Sequence, residues 1–213
     1  MTFGTTIAPM NPDPTEKNLT SNKPLEKDIE KDTLGHSIIE WIKVVVIALA
    51  IALPIRWFVA EPFIVNGASM DPTFATGQFL VVDRLTYRFE APKRGDVIVF
   101  EYPNDPSTYY IKRIIGLPGE TVNIKDGKIT IINKENPSGL TLNEPYISAM
   151  HLSTDTSSRT LTSTQYFVMG DNRAQSSDSR YWGPLESHFI IGRPFVRLLP
   201  VTTLSLWPGQ ETQ

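Results

Sequence analysis

Hydrophobic and polar positions divide the chain into three regimes. Residues 1–36 are polar and punctuated by proline, with Lys17, Lys23, Lys27 and Lys31 interleaved among Glu and Asp. Such a run buries too little apolar surface to offset the entropy of ordering, so a flexible tail is expected. From Ser37 to Ala60 the pattern turns apolar. The uninterrupted stretch Val44–Ile55 has 12 residues, short for a bilayer crossing on its own. Its flanks extend it: Trp41 and Trp57 suit the two interfaces, and Lys43 and Arg56 can snorkel toward head groups. From Ile38 to Ala60 a helix reaches about 34 Å, enough to cross the hydrocarbon core. A transmembrane anchor over residues 37–60 is therefore expected. A cleavable leader would open on a short basic region, and here a long mixed-charge segment comes first. Lysines before and at the start of the span, with Arg56 alone following closely, orient the tail to the cytoplasm and the remainder to the outer face.

Beyond Glu61 the period shortens to that of strands. The runs Pro62–Asn66, Gln78–Leu85, Asp96–Tyr102, Thr108–Gly116, Glu120–Asn133, Tyr166–Gly170 and Ile190–Leu199 are rich in β-branched and aromatic residues and are separated by Pro and Gly. Asp126-Gly127, between two alternating runs, predicts a tight hairpin. The fold class expected is mainly β: an antiparallel sheet domain over residues 61–213, behind one N-terminal helix. Residues 134–165, rich in Ser, Thr, Asn and Pro, read as a loop excursion. The stretch Phe195–Trp207, broken by Arg197 and Pro200, reads as a strand rather than a second span.

Composition narrows the chemistry. The 213 residues include 20 Lys and Arg against 23 Asp and Glu, a net charge of -3, and show no clustered basic face that would read nucleic acid. The absence of cysteine excludes thiol catalysis, disulfides and thiolate-bound zinc. His36, His151 and His188 are scattered and lack metal-ligand spacing, so no metal and no cofactor is expected. Hydrolytic chemistry in this chain would need a base other than imidazole.

Three segments could supply it. Ser69 lies in the small-residue turn Gly67-Ala68-Ser69-Met70-Asp71-Pro72-Thr73, where a substrate backbone can approach closely. A serine in such a turn is by itself most often a turn residue. Lys112 sits in Tyr109-Tyr110-Ile111-Lys112-Arg113-Ile114, and strand alternation puts Tyr110, Lys112 and Ile114 on one face. Burial there would lower the lysine pKa; bringing it from its ordinary value to about 8 takes on the order of 3–4 kcal/mol. The competing reading makes Lys112 and Arg113 ordinary edge-strand charges. The polar loop Gly170–Gly183 can form a hydrogen-bonded unit, with Asp178 pairing an arginine and Ser176 or Ser179 orienting a neighbour. The alternative is a solvated loop, or one that binds a cation through Asp171 and Asp178.

In order and spacing, Ser69–Thr73, Arg94–Phe100, Ile111–Glu120 and Gly170–Arg180 together resemble the bacterial type I signal peptidases, with Leu142–Tyr146 as a weaker fifth block. The resemblance implies a Ser–Lys serine protease on a β-rich fold outside the membrane, free of metal and cofactor. It would remove signal peptides from preproteins delivered by the export machinery, working at the plasma membrane in contact with lipid and without nucleic acid. By this resemblance Ser69 is the nucleophile and Lys112 the general base. Ser176 orients the lysine, Asp178 and Arg180 brace the loop, and the Ser69 N–H meets the oxyanion. Val65, Gly67, Met70, Phe74, Tyr110 and Ile111 line shallow pockets that favour Ala-x-Ala, with the substrate lying extended beside residues 63–67. Some members carry a serine two positions before the nucleophile as a second oxyanion donor; here that place is Gly67. A Ser-x-x-Lys enzyme is excluded because Pro72 occupies the lysine position. A self-cleaving repressor would carry a helix-turn-helix in place of the apolar span. A tethered β module that binds peptides without cutting would not need Ser69, Lys112, Ser176, Asp178 and Arg180 together.

Overall fold

The structure, a computed structural model, describes residues 28–54 and 60–210. Helix α1 runs from Asp28 to Pro54. Residues 28–36, expected as tail, are thus helical: this segment is built largely from Asp, Glu, Lys, Ile and Leu, most of them compatible with helix. Residues 1–27 of the expected tail and 55–59 of the expected anchor lie outside the described residues. The apolar side chains from Ile38 to Leu53 are exposed along α1, and Glu40 and Lys43 pair at 3.5 Å on its surface. Among the described residues no helix is long and apolar enough to cross a membrane.

The remainder is built from twelve described strands: β1 (Ala60–Ile64), β2 (Phe79–Asp83), β3 (Val97–Tyr102), β4 (Asp105–Gly116), β5 (Thr121–Lys125), β6 (Lys128–Ile132), β7 (Leu140–Thr141), β8 (Ser157–Thr160), β9 (Gln165–Met169), β10 (Leu185–Glu186), β11 (Ile190–Leu199) and β12 (Ser205–Leu206). A short helix, α2 (Ser179–Trp182), follows the polar loop. One sheet has the order β1-β2-β11-β3-β4-β9-β10, with β12 beside β11; the other has the order β7-β6-β5-β8. All registered pairs are antiparallel.

The Asp126-Gly127 turn closes the β5–β6 hairpin with both residues at positive φ (48° and 74°), as a tight two-residue turn requires. Two expectations change. Residues 134–165 contribute two further strands to the second sheet, because β7 and β8 extend the hairpin on its two outer edges. The strand read across Phe195–Trp207 stops at Leu199, turns through residues 201–203, and returns as β12 against β11.

The strand that organises the whole is β4. From Lys112 to Gly116 every residue is buried, on both faces. Ile114 packs with Ile98, Phe100 and Val168 on one side, while Ile115 packs with Val122, Ile131 and Phe167 on the other. A third apolar cluster, Val65, Met70, Phe74, Leu80 and Val97, anchors the turn that carries Ser69.

At the hairpin turn, a Cβ on Gly127 would lie 2.0 Å from the Ser153 carbonyl oxygen, in a backbone conformation that disfavours side chains. Gly127→Ala is expected to destabilise the protein by at least about 1 kcal/mol, read as a lower thermal midpoint. An unchanged midpoint would contradict this packing.

Candidate active site

Alternation along β4 predicts where its side chains go. Lys112 turns toward Ser69, and its Nζ donates to Ser69 Oγ at 2.8 Å and to the Ile111 carbonyl at 2.9 Å. Ser69 is half-buried and Lys112 is 3% exposed, its Nζ 5.0 Å from the centre of the Tyr110 ring. Burial lowers the Lys112 pKa from 10.5 to about 8, against the opposing pull of Asp178 and Asp171. That corresponds to about 3 kcal/mol against the charged form. The sign follows: Lys112 binds its proton more weakly folded than unfolded. Its contribution favours the folded state fully above pH 10.5 and is lost as pH falls through about 8.

The serine turn is fixed from below by Val65, Met70 and Phe74, and from the side by the segment after β9. Asn172 donates its N–H to the Ser69 carbonyl at 3.1 Å and its Nδ2 to the Ala68 carbonyl at 3.0 Å. Gly170 admits no Cβ, which would meet Ser69 O and Ser176 Oγ at 2.3 Å each. The Gly67 N–H donates to Thr76 Oγ1 at 3.1 Å, so that amide is already engaged.

Asp178 and Arg180 are paired side chain to side chain. Arg180 Nε and Nη2 donate to the two Asp178 carboxylate oxygens at 2.8 Å each, and Asp178 also accepts the Gly170 N–H at 3.1 Å. Asp178 is in addition the N-cap of α2. The expectation for Ser176 changes: its Oγ is buried without a hydrogen-bond partner among the described residues. The Lys112 ammonium instead turns back to the carbonyl of its own strand neighbour, Ile111. Met70 and Phe74 also depart from expectation. At 1% and 0% exposure they pack beneath the turn rather than lining a surface, because the turn needs apolar anchors. Val65, Gly67, Tyr110 and Ile111 line a groove of about 300 Å³ together with Ser69, Lys112, Gln175 and Ser177. Phe63, Ile64, Asn66 and Tyr109 extend its walls, and the buried Leu80 and Val99 contribute to it from the sheet.

Sequence reasoning missed three supporting residues. Arg113 is completely buried and pairs with Asp171 through Nε–Oδ1 at 2.9 Å and Nη2–Oδ2 at 2.6 Å. Thr73 Oγ1 donates to Asp171 Oδ2 at 2.5 Å, tying this pair to the serine turn. Glu144 accepts from Arg173, whose Nε donates to the Gly170 carbonyl at 3.1 Å. The run Gly170-Asp171-Asn172-Arg173 did signal a built loop, but its partners lie far along the chain and spacing cannot reveal them. Among the described residues no cluster of His, Asp or Glu is suited to hold a metal ion.

A serine bonded to a desolvated lysine beside a groove, on an antiparallel β scaffold, is an arrangement that can support acyl transfer. Residues 38–199 match the family described as signal peptidase, peptidase S26. The chain belongs to this family and is a serine endopeptidase of the signal peptidase I type. A signal peptidase I of Bacillus licheniformis is 38% identical over 154 residues, 68% of this chain and 79% of that protein. One from Leptolyngbya laminosa is 38% identical over 175 residues, 78% of this chain and 82% of that protein. One from Pseudomonas aeruginosa is 35% identical over 218 residues, covering 82% and 77%. A crystal structure of a signal peptidase I from Enterococcus faecalis aligns with 49% of this chain and 97% of its own, at 32% identity and a TM-score of 0.41.

Because Arg113 is fully buried, removing its counter-charge leaves a cation in the core. Asp171→Ala is expected to cost about 3–5 kcal/mol in denaturant unfolding, with reduced cleavage at temperatures where the variant remains folded. A loss below about 1 kcal/mol, the range of an exposed ion pair, would contradict the buried pairing.

Proposed function

We propose that this enzyme removes N-terminal signal peptides from exported preproteins, cutting after Ala-x-Ala with Ser69 as nucleophile and Lys112 as general base. The observation that carries the reading is the 2.8 Å bond between Lys112 Nζ and Ser69 Oγ, made by a lysine whose burial brings its pKa to about 8. A serine hydroxyl attacks a carbonyl only as its proton leaves, and a neutral amine at this distance can take it. Ser69 Oγ then bonds to the peptide carbonyl carbon, and the proton passes to Lys112. The resulting ammonium returns it to the leaving amine as the carbon–nitrogen bond breaks. Water, deprotonated by the same amine, releases the acyl group and restores the serine.

Geometry supports the substrate class. In β4, residues Tyr109–Lys112 pair with β3, whereas β9 pairs with β4 only from Arg113 onward. Strand β1 ends its sheet. An extended peptide lying in the groove between them can hydrogen-bond to free strand edges, the mode of β-addition. Val65, Tyr110 and Ile111 wall the groove beside Ser69, and on this reading the small side chains before the cut seat against them. The oxyanion is met by the Ser69 N–H, which has no acceptor among the described residues. The apolar span of residues 37–60 serves as the single membrane anchor, with the N-terminus cytoplasmic and the catalytic domain on the outer face. Asp178 and Arg180 hold the loop against the site, and Ser176, buried beside Gly170, fills the space behind it.

The test is cleavage of a preprotein bearing an Ala-x-Ala site by full-length protein in detergent. Wild type is expected to cut after the final Ala. Ser69→Ala and Lys112→Ala are each expected to lose at least about a thousandfold in rate while still folded, and a Leu in place of the final Ala is expected to abolish cutting. Silence of the wild type toward several preproteins, or activity retained by Lys112→Ala, would overturn the reading.

A further inference from the structure

One residue beyond Lys112, the Arg113 guanidinium gathers segments that are distant in sequence. Besides its two bonds to Asp171, its Nη1 donates to the carbonyls of Gly95 at 2.9 Å and Gly209 at 2.6 Å, and its Cζ lies 4.0 Å from the Tyr146 ring centre. Gly209 belongs to a segment that follows β12, 96 positions along the chain from Arg113. That segment is set in place with little freedom. The Trp207 N–H donates to the Phe195 carbonyl at 2.8 Å, its ring packs on Phe195 at 5.6 Å, and the Arg193 guanidinium lies 4.6 Å above it. Pro208 is buried. Gly209 takes φ +77°, and a Cβ there would lie 2.7 Å from Phe74 Cε2, so this position is closed to side chains.

We propose that the segment Trp207–Gln210 is a positioning element of the Ser69–Lys112 centre, holding Arg113 through the Gly209 carbonyl and, through Arg113, the Asp171–Thr73 link to the serine turn. The inference rests on Ser69 and Lys112 being the catalytic pair. Its physical basis is continuity: the Gly209 carbonyl, the Arg113 guanidinium, the Asp171 carboxylate and the Thr73 hydroxyl form one unbroken chain of hydrogen bonds of 2.5–2.9 Å. Thr73 stands four positions after Ser69, and Arg113 is covalently next to Lys112. Displacing the Gly209 carbonyl loosens both catalytic side chains at once, the serine turn through Asp171 and Thr73 and β4 through Arg113. A loosened Lys112 is less completely desolvated, which weakens the burial that keeps its amine neutral. The groove walls at residues 63–67 and 109–111 make none of these bonds, so substrate binding is left largely intact.

The experiment compares wild type with Gly209→Ala, and with a chain ending at Trp207, in preprotein cleavage across pH. Thermal melts establish which variants are folded at the assay temperature. A folded variant is expected to lose about tenfold to a hundredfold in kcat while KM stays within about twofold, the pattern of misplaced reacting groups. The acid limb of its kcat/KM profile is expected to move to higher pH as Lys112 regains water. A folded variant with unchanged kcat and an unchanged acid limb would overturn the inference, as would a kcat loss with the acid limb fixed. If neither variant folds, the segment is a stability element and the inference fails. A wild type that does not cleave would instead overturn the catalytic reading, before the variants are compared.

Discussion

Two cations stand next to each other in β4, and both are buried. Strand alternation sends them to opposite faces, and their surroundings differ in kind. Arg113 meets a bidentate carboxylate and two backbone carbonyls, so its charge is compensated where it lies. Lys112 meets a serine hydroxyl, one carbonyl and an aromatic face, with Asp178 and Asp171 acting on it through space. Arg113 is therefore held charged, while burial pushes Lys112 toward the neutral form. This asymmetry on a single strand is the constraint on which the site depends. It brings the Lys112 pKa down from 10.5 to about 8.

The rest of the domain serves that arrangement. The serine turn makes backbone bonds of its own, from the Asp71 N–H to the Ala68 carbonyl and from the Phe74 N–H to the Met70 carbonyl. It is pinned by three apolar side chains beneath it, and by Asn172 and the Asp171–Thr73 bond beside it. The segment Gly170–Arg180 acts on both Ser69 and Lys112. Asp171 closes the Arg113 side, Asn172 grips the serine turn, and Asp178 braces the loop while tempering the pKa of Lys112. The apolar groove then needs little more than two strands with uncovered edges and a bed of Leu80 and Val99.

Much of this was legible in the sequence, for identifiable reasons. The antiparallel β class, the Asp126-Gly127 hairpin and the inward face of Lys112 follow from local periodicity and turn chemistry, which need no distant partner. What escaped depends on long-range pairing. Strands β7 and β8 are short and polar, and they become strands because the β5–β6 hairpin offers them edges. Arg113 looked like an edge charge because its compensating groups lie 58 and 96 positions away. Met70 and Phe74 were expected as pocket walls from their positions in the family resemblance, and position along the chain does not distinguish a wall from an anchor. Ser176 was expected at the ammonium, yet backbone geometry gave that bond to the Ile111 carbonyl.

The central claim is that Lys112 is neutral when it meets Ser69, and the most direct measurement is its own titration. In NMR of the full chain in detergent with 13C-labelled lysine, the Cε signal of Lys112 is assigned by its loss in Lys112→Arg and followed with pH. A midpoint of about 8 is the result this account predicts. A midpoint near 10.5, the value of an ordinary lysine, would mean that Lys112 stays charged at working pH and cannot be the base.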